Sequence, residues 1–238
     1  MKLILDIVLL IIVALCTWGG FKHGLIGGVA GLLIIIVALF GGSLVSSAYA
    51  HEVVPALEPF VDGYIDSQRN RDDVLEKMGY GSSDLSVEDI LTQNPALRYD
   101  YARECFLSVG LYSERAEELA SRAVAYADEN VTGMTKAVVD VLCDTATYIG
   151  GLALGFLLIL IFLTAIGNIV NLSFRLPNLE LLDEIGGAVL GFAKGLLYCV
   201  LLSWLLSFFG LLIGFDTMES TTLARFFLSF RFITGGLL

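Results

Sequence analysis

The chain has 238 residues, 56% of them apolar and only 16% charged, with a mean hydropathy of +0.79. Soluble globular chains run nearer ~45–50% apolar and about 25% charged, so an ordinary soluble enzyme is a poor reading of this composition. A net charge of −11 and a pI near 4.5 also speak against nucleic acid as a partner, because phosphate binding needs basic patches.

The charge is unevenly placed. Residues 51–147 hold 8 Lys/Arg and 19 Asp/Glu, whereas the rest of the chain holds 6 of each kind. An acidic, hydrophilic insert thus interrupts an apolar frame. The pattern predicts a first transmembrane hairpin over 1–50, the insert over 51–147, a second transmembrane hairpin over 148–215 and an amphipathic tail over 216–238.

The first apolar run, Leu3 to Trp18, contains Asp6 close to its start. There a carboxylate reaches headgroup water and favours the positive end of the helix dipole. Met1-Lys2 and Ala48-Tyr49-Ala50 together resemble a secretory signal with its cleavage site. The run before Ala50 is twice as long as a usual signal core, so it is expected to stay as membrane spans. Leu25 to Ala50 is 26 residues without a formal charge, Thr145 to Phe174 gives 30, and Gly195 to Phe215 gives 21. A hydrocarbon core of ~30 Å needs about 20 helical residues to cross it. Ile149 to Leu172 alone carries fifteen Leu, Ile, Phe or Val residues. They favour insertion by about 5–9 kcal/mol before Gly and Asn subtract. The expected fold class is all-α: a multispan integral membrane protein of about four transmembrane helices in two hairpins, with a helical hydrophilic insert.

Within the insert, Val54, Leu57, Val61 and Tyr64 keep the spacing of one helix face. Ser86, three residues before Asp89, reads as a helix N-cap, and Ser113 precedes an alanine-rich helix over Glu114 to Asp128. Gly79 to Ser83 and Asn94-Pro95 read as breaks. The apolar set Leu91, Leu97, Tyr101, Phe106, Leu119 and Val124 is enough for a small helical cap rather than a full core. From about Met134 a helix is expected to run unbroken into the third span. In the tail, Leu223 to Ile233 carries four phenylalanines with Arg225 and Arg231, which suits either an interfacial amphipathic helix or packing against the bundle.

The 25 glycines are ordered. Gly20, Gly24 and Gly28 recur every four residues, as do Gly187, Gly191 and Gly195; Gly27-Gly31 and Gly151-Gly155 are further pairs. Such spacing puts glycines on one helix face and lets another helix approach closely in lipid. Gly20-Phe21-Lys22-His23-Gly24 also echoes Gly191-Phe192-Ala193-Lys194-Gly195, suggesting two hairpins with related, Lys-bearing turns. Lys22, Arg175 and Lys194 would then face the cytoplasm by the positive-inside tendency, with both termini and the insert outside.

The stretch from Leu182 to Gly195 resembles the D-x3-G-x3-G-x2-(R/K)-G pattern of the colicin V production protein family (CvpA-like membrane proteins), met by Asp183, Gly187, Gly191, Lys194 and Gly195. Asp6 and the Gly20, Lys22, Gly24 stretch agree with it, so the resemblance covers about residues 3–50 and 148–230. It implies a bacterial inner-membrane protein linked to toxin production and envelope homeostasis, without an assigned reaction. The candidate family-motif and helix-packing residues are therefore Asp6, Gly20, Lys22, Gly24, Asp183, Gly187, Gly191, Lys194 and Gly195. Lys194 is the problem among them. It snorkels, pairs with Asp183 or Asp6, or sits in a shallow, bent segment preceded by a break at Leu176-Pro177-Asn178. Asn168 and Asn171 are placed to bond across to it, or are simply interfacial.

Chemistry-bearing motifs are missing. With only His23 and His51 the chain offers little to a Ser-His-Asp set, and it has no H-E-x-x-H, phosphate loop, G-x-S-x-G or C-x-x-C. No catalytic, cofactor-binding or metal residues are assigned, and no cofactor is expected. The expected partners are the lipid bilayer and either a membrane-protein partner or a second copy of the chain. The leading expectation is a non-enzymatic CvpA-like protein; the alternative is a small transporter or channel component that oligomerises through its glycine faces.

Overall fold

The computed structural model describes residues 2–67, 70–79, 86–169, 180–208 and 226–227. Every element among them is an α-helix: α1 (Lys2–Ser67), α2 (Asn70–Lys77), α3 (Val87–Gln93), α4 (Leu97–Ser108), α5 (Ser113–Asn130), α6 (Met134–Ile169) and α7 (Glu180–Leu206). Residues cluster into two compact units. One holds Met1–Ser47 and Gly150–Leu206 with Phe226 and Phe227; the other holds Ala48–Ile149 with Ser207 and Phe208.

Three helices are long and apolar enough to cross a membrane, over Leu5–Tyr49, Met134–Asn168 and Leu181–Leu206. Only 17% of the most apolar window of α6 is buried, which no core helix of a water-soluble fold would tolerate. Leu10, Leu15, Phe40, Leu154, Leu158 and Phe162 all face outward. An apolar surface of this extent belongs in lipid, and the chain is a multi-pass membrane protein.

The two runs expected as separate first and second spans fall within the single element α1. No loop separates them. One residue does: Gly24 sits at φ 72°, ψ −176°, outside the helical region, and divides α1 into a first arm before it and a second arm after it. Only glycine takes this conformation without a Cβ penalty. Contacts with α7 show what the break does. Along the first arm Val13, Cys16 and Gly20 meet Gly195, Gly191 and Gly187 in turn; along the second, Leu25, Gly28 and Gly31 meet Gly186, Leu190 and Lys194. The direction of travel along α7 reverses at Gly24. The second arm runs antiparallel to α6, with Gly41 against Ile159, Gly42 against Phe156 and Ser46 against Gly151.

The two echoing stretches differ in structure. Gly20 to Gly24 ends in the break, whereas Gly191 to Gly195 lies inside the unbroken α7, so Lys194 does not mark a turn. The Leu176-Pro177-Asn178 turn, Arg175 and Asn171 lie outside the described residues. Of the tail, only Phe226 and Phe227 are described; Phe227 packs with Leu9, Cys199 and Val200.

The second unit has more core than the apolar set implied. Leu91, Tyr101, Phe106 and Leu119 are buried, Leu97 and Val124 partly so, and Ala116, Ala120, Ala123 and Ala127 join them as a stripe along α5. Alanine was the unread part of this core, since it scores as a helix former before it scores as apolar. Val54 and Val61 lie against the same cluster, while Pro55 and Pro59 stand on the exposed side of α1. Ser86 caps α3, accepting from the Asp89 N–H at 3.2 Å and donating to Asp89 Oδ2 at 2.6 Å. Glu88 then caps α6: its Oε1 accepts from the Thr135 N–H at 2.8 Å and its Oε2 from the Met134 N–H at 3.1 Å.

Two measurements test these local arguments. Glu88→Ala leaves two helix-end N–H groups without their acceptor and should cost about 1–2 kcal/mol, seen as faster amide exchange at Met134 and Thr135. Val131 closes α5 in the left-handed region (φ 52°, ψ 41°) while 92% exposed. Val131→Gly relieves that strain and should raise thermal stability by roughly 0.5–1 kcal/mol in detergent; a fall in the melting temperature would refute the account.

Candidate functional site

Breaking a helix in apolar surroundings leaves N–H groups that lipid cannot satisfy. Asp183, near the start of α7, supplies the acceptor: its Oδ1 takes the Leu25 N–H at 2.8 Å, and the residue is only 3% exposed. A buried carboxylate persists only with such donors. The Gly24 backbone fits tightly under this cap, since a Cβ there would meet the Asp183 carboxylate carbon at 2.7 Å.

From this anchor the two glycine triplets diverge in what they touch. Gly20 lies on Gly187 and Gly191; a Cβ on Gly20 would meet the Gly191 Cα at 2.7 Å and collide with the Gly187 carbonyl oxygen. Gly191 reciprocates against the Cys16 carbonyl and the Gly20 Cα, the latter at 2.9 Å, and Gly195 against the Val13 Cα at 2.9 Å. These are backbone-to-backbone approaches that any side chain would prevent. Gly28 instead accommodates the Leu190 side chain, and Gly31 the end of Lys194, 3.2 Å from where a Cβ would stand.

Lys194 occupies the middle of α7, fourteen residues from Glu180 and twelve from Leu206. It does not pair with Asp183, whose carboxylate is engaged at the break about 16 Å away along the helix. Its ammonium lies 5.8 Å from the centre of the Tyr198 ring. On insertion scales a lysine at this depth costs roughly 2.5–3.5 kcal/mol, and a cation–π contact of about 0.5–2 kcal/mol offsets part of it. The side chain reaches a cavity of about 380 Å³ within the membrane-spanning unit, which Cys16, His23, Thr164 and Asn168 also line. His23 Nδ1 is 2.7 Å from the Gly19 carbonyl oxygen, so that nitrogen carries the proton and donates.

The remaining candidates stand apart. Lys22 is exposed beside the break, its ammonium 5.4 Å from the centre of the Trp18 ring. Asp6 is half-buried on the first arm and does not line the cavity. The structure thus brings Gly20, Gly24, Asp183, Gly187, Gly191 and Gly195 into one seam, and places Lys194 beside it. Sequence reasoning passed over Cys16 and His23. Cys16 continues the four-residue spacing back from Gly20, a signal that was present; His23 carried none beyond being one of two histidines.

Residues 116–231 match the family model described as colicin V production protein. The match begins within α5 and takes in Asp183, Gly187, Gly191, Lys194 and Gly195, while the two arms of α1 lie before it. No curated protein and no solved structure matches the chain.

Paired alanine substitutions separate seam glycines from incidental ones. Gly20→Ala drives a methyl into α7 backbone and should cost about 1–3 kcal/mol. Gly150→Ala, with nothing within 4 Å of the added carbon, should be neutral or gain roughly 0.5–1 kcal/mol. Equal thermal shifts for the two in mild detergent would show that close approach is unimportant. At the break, Asp183→Asn keeps an acceptor for the Leu25 N–H and should be far milder than Asp183→Leu, which leaves that donor buried and unmet at about 1–3 kcal/mol.

Proposed function

By its match over residues 116–231 this chain belongs to the colicin V production protein family, and we propose that it acts in colicin V type toxin production or envelope homeostasis, as a multi-pass protein of the bacterial inner membrane that works through partner proteins and performs no catalysis of its own. The family match carries the reading. The commitment of Asp183 to the Leu25 N–H is consistent with a polar group that holds the bundle rather than turns over a substrate.

The membrane arrangement we propose has four crossings. The apolar stretch Leu5–Tyr49 is 45 residues, about 68 Å as a continuous helix and more than twice the ~30 Å hydrocarbon core. Divided at Gly24, each arm approaches a single crossing, and α6 and α7 supply the other two. By the positive-inside tendency we place the turn beside Lys22 in the cytoplasm, against the contrary vote of Lys2, Arg225 and Arg231; Lys194, in mid-helix, has no vote. A reporter fused at residue 100 should therefore be active outside the cytoplasm, and cytoplasmic activity would overturn this orientation.

Affinity isolation in mild detergent with mass analysis tests the partner reading. A specific membrane protein should co-purify. Recovery of the chain with lipid alone would sink it. A second reading, a small transporter or channel component oligomerising through its glycine faces, is favoured by one observation: Lys194 lines a cavity midway along α7. Solute or ion flux in proteoliposomes, abolished by Lys194→Ala, would establish that alternative.

A further inference from the structure

We propose that the cavity around Lys194 is a binding site for a phosphate-type oxyanion, with the lysine ammonium as its countercharge. The cavity measures about 380 Å³ and is lined by both arms of α1 together with α6 and α7. That volume falls within the ~300–1,000 Å³ typical of small-ligand sites. Its polar lining is biased. Lys194 brings a formal positive charge and three donors, Asn168 an amide and Thr164 a hydroxyl, and no carboxylate is among the described lining residues.

Among the described residues the charge meets no anion. Among the described residues no carboxylate lies within ion-pair distance of Lys194, and its one ring contact, Tyr198 at 5.8 Å, supplies only a partial negative face. Asp183, on the same helix, is used by the Leu25 N–H, and Glu184 stands ten residues, about 15 Å, before Lys194. A cation in apolar surroundings is expected to find a countercharge. Gly31 makes room for the lysine itself, whose ammonium lies 3.2 Å from where a Cβ would stand, and so lets the charge reach the cavity that both line. An ammonium with amide and hydroxyl donors on a facing helix suits tetrahedral phosphate, whether carried by a phospholipid headgroup or free in solution. This assignment stands independently of the partner and transport readings, because binding is measured without either.

The test uses the full-length chain in mild detergent. Native mass spectrometry with equimolar phosphatidylglycerol and phosphatidylcholine reads the headgroup source, and calorimetric titration with inorganic phosphate reads the free-anion source. The expected result is Lys194-dependent binding in at least one arm, weakened about tenfold or more by Lys194→Met and retained by Lys194→Arg. Asn168→Leu, which leaves the charge in place, should weaken binding severalfold and keeps the test open if Lys194→Met fails to fold. Lys77→Met, on exposed α2, should change nothing. Anionic lipid retention without phosphate heat identifies the headgroup, and phosphate heat identifies the free anion. Equal retention of both lipids with no phosphate heat, or binding indifferent to both Lys194→Met and Asn168→Leu, overturns the proposal.

Discussion

A helix that breaks inside a packed bundle must satisfy its own backbone, and the membrane-spanning unit is organised around one answer to that demand. Gly24 takes a conformation that ends one arm and starts another, and Asp183, 158 residues from Leu25 in sequence, accepts the N–H that the new helix end exposes. Left buried without that acceptor, the N–H would cost about 1–3 kcal/mol. The same bond joins α1 to α7 at the level where the direction of travel reverses. The second unit uses the same device, with the Glu88 carboxylate closing the start of α6 across Gly133, whose missing Cβ leaves the carboxylate room.

Away from the cap, attraction must come from contact rather than from expulsion of water, because lipid tails are as apolar as leucine. That is why the first arm and α7 meet through Cys16, Gly20, Gly187 and Gly191, where backbone atoms touch and many weak dispersion contacts accumulate. Large side chains are turned outward instead, as Leu15, Phe40 and Leu154 show. The second arm spends its glycines differently. Gly27, Gly28 and Gly31 leave space that α7 does not wholly fill, and the cavity opens there.

Much of this was legible, though unevenly. The apolar runs announced membrane helices through length and composition, and the four-residue glycine spacing was readable without coordinates. Which glycine would break a helix was not. Gly20, Gly24 and Gly28 look alike in sequence, and only the distant Asp183 makes Gly24 the place where a positive φ is held. The echo of Gly20 to Gly24 in Gly191 to Gly195 suggests a turn at Lys194; α7 instead begins at Glu180 and runs unbroken, so the charge lies in mid-helix. The alanine stripe of α5 was missed for a related reason. Its burial depends on neighbours in α4 and α6, which local propensity does not report.

The motif on α7 gains a physical meaning from helical geometry. Asp183, Gly187, Gly191 and Gly195 follow one another at four-residue intervals and so fall on a single stripe, which faces the first arm and its turn. A lysine on that stripe would strike backbone, as a Cβ at Gly195 already meets the Val13 Cα at 2.9 Å. Placed one residue earlier, Lys194 is rotated by about 100° around the helix, away from Val13 and towards Gly31 of the second arm. The short interval between the last two positions of the pattern therefore separates two tasks: the small residues hold α7 against one arm, while the cation is delivered to the open space beside the other.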